Sequence, residues 1–127
     1  PVRATSFVAQ LGYHCSSAVF DPLQHVHLRW CECYGAPAIE IVSPADRDGP
    51  LGRILTDRPS SFYHLCYEIE VTTTDALDTL RVGGARVVTV LAPLPAVLFD
   101  GRNVSFHMVQ GFGLIELLEA EGVGART

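Results

Sequence analysis

The strongest constraint on what this chain can fold into is an internal repeat. The segment "AQLGYHCSSAV" corresponds in position to "DTLRVGGARVVTV", setting Gly12 against Gly84 at an offset of 72 residues. The segment "AIEIVS" around Glu40 corresponds to "LIELLE" around Glu116 at an offset of 76. A period of this length means two copies of one supersecondary plan, each burying its apolar side in the same way. The 127 residues, 48% apolar and 18% charged, supply enough core for one domain of that kind and exclude a disordered chain.

Periodicity fills in the elements. Ala4, Phe7, Val8 and Leu11 follow helical spacing, and Gly12 stops that helix. Strand-like runs follow at Cys15–Phe20, His25–Cys33 and Pro37–Ser43, with turns at Asp21-Pro22 and Gly35. Residues 44–61 are rich in proline and glycine and read as a connector with one helical turn at Leu51–Leu55. The second half opens with a strand at Phe62–Val71. A helix at Thr74–Val82 comes next, with Thr74 as N-cap, Asp75 in its first turn and Gly83-Gly84 at its end. Strands at Arg86–Leu91, Val104–Val109 and Gly113–Glu119 close the chain.

The expected class is therefore α+β. Two βαβββ modules, about 1–43 and 62–119, form curved mixed sheets around a cleft within one domain, 1–127. By the repeat, the first strand of module one would fall roughly ten residues before Pro1, so it is expected to be missing from the chain, leaving an edge prone to association.

Charge narrows the partners. Fourteen acidic residues face nine basic ones, all nine of them arginine, for a net charge of −5. This argues against nucleic acid and acidic membrane as partners, since both need concentrated positive charge. The longest apolar runs fall far short of the roughly 20 residues that span a bilayer. Cys15, Cys31, Cys33 and Cys66 show neither framework spacing nor a Cys-x-x-Cys pair, so all four are expected to be reduced packing residues of a cytoplasmic protein. Cys31 and Cys33, two apart on one strand face, are badly placed to bond to each other.

Chemistry is expected where polar residues interrupt apolar strands. Alternation in "FYHLCYEI" puts His64, Cys66 and Glu68 on one face. Glu40 shares a face with Ala38 and Val42, and Glu116 with Leu114 and Leu118. A carboxylate among apolar neighbours has to be paired, protonated or metal-bound. One histidine and two carboxylates from three strands suit a divalent transition metal such as Mn, Fe, Co, Ni or Zn; the plainer alternative is a satisfied core histidine with two structural glutamates. A rival metal pair is His25 and His27, which share a strand face with Arg29. Arg29 and Arg102 are candidates to bind a substrate carboxylate or phosphate, since a guanidinium donates two parallel hydrogen bonds. No Walker loop, G-x-S-x-G elbow or dinucleotide fingerprint is present.

The paired strand-helix-three-strand halves, with "AIEIVSPADRDGPLGRIL", "FYHLCYEIE", "DALDTLRVGGARVV" and "FGLIELLE", resemble the vicinal oxygen chelate (glyoxalase/bleomycin-resistance) superfamily. Within it they are most similar to the methylmalonyl-CoA epimerases. The resemblance runs from Phe7 to the end of the repeat. It implies that His64, Glu116 and Glu40 fall on metal-ligand positions, with a further histidine ligand on the missing first strand. It also implies a metal-dependent isomerase or epimerase acting through an enolate on a CoA thioester or similar small carbonyl acid. Glu116 would be ligand and base, Glu68 the candidate second acid, and a homodimer the expected assembly. The alternatives are a glyoxalase-type lyase or dioxygenase on the same scaffold, or a metal-free small-molecule binding protein.

Overall fold

The structure is a computed structural model that describes residues 2–49, 52–53, 62 and 64–123. The chain divides into two compact units, Pro1–Ser61 and Phe62–Thr127. Among the described residues, each unit holds a four-stranded sheet and a helix, and neither sheet closes into a barrel.

The first unit begins with α1 (Val2–Gln10), followed by β1 (His14–Cys15), β2 (Val19–Asp21), β3 (Val26–Glu32) and β4 (Ile39–Pro44). The expected strand Cys15–Phe20 is in fact two. β1 and β2 lie end to end against β3, and between Cys15↔Cys31 and Val19↔Leu28 the outer strand takes four steps to the inner strand's three. That extra residue is a bulge, which bends an edge strand and interrupts its ladder. Ser16 closes the gap, donating its N–H to Trp30 O at 2.8 Å while its Oγ accepts from Trp30 N at 3.0 Å. β4 pairs antiparallel with the other side of β3, and among the described residues with no other strand.

One expectation fails here. Cys15 and Cys31 form a disulfide, and Cys33 is a free thiol. The physical reason lies in the register: the antiparallel pairing sets Cys15 directly opposite Cys31, and side chains directly opposed across such strands are close neighbours. Spacing along the sequence could not show that register.

The second unit runs β5 (Leu65–Ile69), α2 (Thr73–Val82), β6 (Val87–Pro95), a 3-10 turn (Val97–Phe99), β7 (Asn103–Val109) and β8 (Gly113–Glu119). Its sheet order is β5-β8-β7-β6, with β5 parallel to β8 and the other pairs antiparallel. The strand expected from Phe62 is shorter, and Tyr63 lies outside the described residues. So does most of the helical turn expected at Leu51–Leu55, of which Gly52 and Arg53 are described and helical. The helix cap also moves: Thr72, not Thr74, is the N-cap, its side chain accepting from Asp75 N. Thr72 is the residue with extended backbone (φ −65°, ψ 154°), as the N-cap geometry requires.

The two helices end identically, which carries the repeat from sequence into structure. Gly12 and Gly84 both have φ +95°. In each case the glycine N–H reaches three residues back, to Ala9 O and Arg81 O, and the next N–H reaches five back, Tyr13 to Val8 O and Ala85 to Leu80 O. This is the Schellman C-cap, which a residue with a Cβ adopts only with strain.

In the second unit α2 covers one face of the sheet, packing Leu77 against Val87, Ile115 and Leu117. The opposite face holds a smaller cluster of Ala96, Val104 and Leu118, with Leu94 and Phe99 against it. Among the described residues no helix is long and apolar enough to cross a membrane.

Candidate active site

Strand register decides what stands beside what on that second face. Phe106 on β7 and Cys66 on β5 both pair with Glu116 on β8, so the three form one row across the sheet. His64 immediately precedes β5, two positions before Cys66 and hence on the same face. Its Nε2 lies 2.7 Å from Glu116 Oε2, and the two side chains are only 8% and 5% exposed. Phe106 packs against the imidazole as a T-shaped pair with ring centroids 5.0 Å apart.

A carboxylate buried this deeply stands among apolar side chains only because a polar group meets it; unpaired, it would cost several kcal/mol. An imidazole nitrogen and a carboxylate oxygen at this separation are also the donor types that intermediate divalent metals take. The donor set therefore fits such an ion, and the same two atoms can pass a proton directly between them.

Glu40 is the second residue of β4, opposite Trp30, and is half-buried. Glu68 shares the sheet face of His64 and Glu116, one same-face step beyond the Glu116 row, where it pairs in register with Leu118. Its exposed carboxylate accepts from Arg102 Nη1 at 2.7 Å. Arg102 in turn lies over the Phe99 ring, 5.6 Å from its centroid. The candidate acid Glu68 and the candidate anion-binding Arg102 thus engage each other. Arg29 donates to Ser16 O at 3.0 Å and so braces the bulge in its own sheet. His25 precedes β3 in left-handed backbone (φ 58°) and pairs with Asp46 at 2.9 Å, while His27 packs on Phe20.

Three residues with clear roles were not singled out by the sequence. Phe106 is one; alternation with Val104 and Met108 and the short turn after Val109 could have placed it opposite Glu116. Glu119 is another: on the α2 face of β8, its Oε1 accepts from Thr73 N and Thr73 Oγ1, both at 2.9 Å, and its Oε2 from Asn103 at 3.3 Å. It tethers β8 to the start of α2 and to β7. The third is His107, fully buried, with Nε2 2.8 Å from Ser105 Oγ and Nδ1 3.0 Å from Thr89 Oγ1. Burial, and then the Arg81 guanidinium, hold its pKa below the ordinary value of 6.5.

Comparison with known proteins agrees with the fold. The sequence profile of the Glyoxalase/Bleomycin resistance protein/Dioxygenase superfamily matches residues 2–106. Among solved structures, methylmalonyl-CoA epimerase from Mycobacterium tuberculosis is similar with a TM-score of 0.73 and 19% identity, covering 98% of this chain and 83% of its own. A Streptomyces coelicolor methylmalonyl-CoA epimerase variant in complex with 2-nitronate-propionyl-CoA gives 0.72 and 18%, covering 96% and 87%. A hypothetical protein from Bacillus halodurans gives 0.70 and 18%, covering 91% and 81%. No curated protein sequence matches the chain. With most of its length matched by the superfamily profile, this chain belongs to the glyoxalase/bleomycin resistance protein/dioxygenase superfamily.

Proposed function

We propose that this protein is an acyl-thioester isomerase of the epimerase kind, which removes and returns a proton at the carbon next to the thioester carbonyl. The observation that carries the reading is the buried His64–Glu116 pair, packed against Phe106 on the sheet face opposite α2. The epimerase neighbours, one of them in complex with methylmalonyl-CoA, favour a CoA thioester as the substrate class.

In this reading His64 and Glu116 hold a divalent transition-metal ion. Glu40 is the third ligand, because β4 carries it at the position in the repeat that Glu116 occupies on β8. When bound, such an ion acts as a Lewis acid toward the substrate carbonyl and makes the neighbouring C–H more acidic. Glu116 Oε takes the proton, and the apolar surroundings keep bulk water from competing for it. Glu68 returns a proton from the other side. It stands one same-face step away, roughly 7 Å along the strand, leaving room for a carbon acid between the two carboxylates. Arg102 and Arg29 are the proposed anion-binding groups, each giving one N–H to the protein and retaining others for a carboxylate or phosphate. The protein works as a single domain over 1–127 and as a homodimer. Disulfides are rare in reducing compartments, so the Cys15–Cys31 bond lends no support to the expected cytoplasmic location.

The test is solvent exchange. Protein reconstituted with Co(II) or Mn(II) and incubated with acyl-CoA thioesters in D2O should place one deuterium at the α-carbon of its substrate. Failure of every α-branched thioester to exchange, with metal bound, would contradict the reading. One observation favours a second reading, a binding protein without metal: His64 and Glu116 already satisfy each other directly. Tight thioester binding by metal-free protein, without exchange, would decide for it.

A further inference from the structure

His64 immediately precedes the first ladder pair of β5, Leu65↔Ile115. The imidazole presents Nε2 to Glu116 Oε2 at 2.7 Å. The plane of that ring decides whether Nε2 meets the carboxylate. Phe106 is in the right place: it is the cross-strand partner of Glu116, is 6% exposed, and meets the His64 ring at an interplanar angle of 86°. Perpendicular aromatic pairs are held by the attraction of a ring edge to a ring face, so this contact resists rotation of the imidazole about its last side-chain bond. Phe106 itself is held firmly, because its neighbours Ser105 and His107 are fully buried and hydrogen-bonded to each other on the opposite face of β7.

The geometry points to Phe106 as a positioning residue for the proposed metal site. It orients the His64 imidazole so that Nε2 and Glu116 Oε2 address one point, and its ring keeps water off the pair. This assignment rests on the function proposed above, and it adds a residue that contributes no ligand atom and touches no substrate. Trp30 shows that the position does not dictate the role. It stands opposite Glu40 as Phe106 stands opposite Glu116, and its indole N–H goes to Glu32 on its own strand at 2.8 Å.

The experiment compares the wild type with Phe106→Leu and Phe106→Tyr, after thermal melts confirm that each is folded. Calorimetric titration with Co(II) reads affinity, and the Co(II) absorption spectrum reads ligand geometry. Loss of an orienting neighbour typically weakens metal binding about 10- to 100-fold. We expect that loss in Phe106→Leu, with an altered Co(II) spectrum, and near-complete rescue in Phe106→Tyr, which keeps the ring. A Phe106→Leu protein that binds Co(II) as tightly as the wild type, with an unchanged spectrum, overturns the assignment. Failure of the underlying reading looks different, because the wild type itself would then bind no Co(II). In that case the nuclear Overhauser contacts of the His64 ring protons still report its orientation: one defined set of contacts in the wild type that becomes averaged in Phe106→Leu supports the orienting role, and the same set retained in Phe106→Leu refutes it.

Discussion

Cys31 and His107 stand 76 residues apart and hold the same place in the two units. Each is fully buried on the middle strand of its hairpin pair, and each is linked to the outer strand next to it. In the first unit the link is the covalent bond Cys31–Cys15; in the second it is the hydrogen bond between His107 and Thr89. Just beyond this point the outer strand bulges in both units. The same backbone plan therefore needs a fastening at one place, and the chain meets that need with two chemistries, one sensitive to reductant and the other to acid. The glutamates show a similar divergence. Glu116 is buried, on a strand flanked by both β5 and β7, while Glu40 lies half-buried on β4, paired on one side among the described residues.

Substitution at the two glutamates should separate them most. Glu116→Gln keeps the shape and removes the base, and loss of a general base typically lowers the rate by about 10²- to 10⁴-fold. Glu40→Gln, which alters one proposed ligand and no proton-transfer group, should lower the rate by less, as read by deuterium exchange under metal saturation. Equal losses at both positions would mean that the difference in burial has no catalytic meaning.

The disulfide of the first unit and the Glu119 tether of the second come next. Cys31→Ser in the first unit opens a short loop of the kind whose closure is worth about 3 kcal/mol, and dithiothreitol should lower the melting temperature of the wild type but not that of the variant. If reductant leaves the wild type unchanged, the covalent side of the comparison is lost. In the second unit, Glu119→Ala leaves the Thr73 N–H, the Thr73 hydroxyl and the Asn103 amide without their acceptor, which should cost about 1–3 kcal/mol in urea unfolding. Thr72→Ala, removing only the local cap, should cost about 1 kcal/mol.

Acid should produce the smallest effect. Because burial lowers the pKa of folded His107, the unfolded chain takes up a proton near pH 6.5 and the folded chain does so only below that. His107 therefore favours the folded state fully above pH 6.5, and this contribution declines as the pH falls from 6.5 toward its lower folded value. His107→Gln should flatten that part of the stability–pH curve. An unchanged slope would show that the hydroxyl-bound histidine is not the acid-sensitive element.

Much of this was legible in the sequence because it depends on local pattern. Gly12 and Gly84 mark helix ends through a backbone conformation that glycine alone adopts easily, and "AIEIVS" and "LIELLE" announce equivalent strands through alternation. The class and the order of elements follow from these, and the superfamily is expected from the resemblance of the same segments to its members. What could not be read depended on register between distant segments. The Cys15–Cys31 bond, the split of one expected strand into β1 and β2, and the acceptor role of Glu119 toward α2 all arise from which residue lies opposite which. Thr72, Thr73 and Thr74 are equally good caps by type, and only the backbone angles place the N-cap at Thr72 rather than at the expected Thr74. Of the candidate site, His64 and Glu116 were visible as polar residues in apolar strands. Phe106 looked like ordinary core, because an orienting aromatic and a packing aromatic have the same sequence signature.

The central claim is that one histidine and two equivalent strand glutamates bind a catalytic ion. Elemental analysis of the purified protein after reconstitution and desalting tests it most directly. The account predicts one divalent transition-metal ion per chain in the wild type and none in His64→Ala or Glu116→Ala. A wild-type protein that retains no metal, or a Glu116→Ala variant that retains a full equivalent, would contradict it.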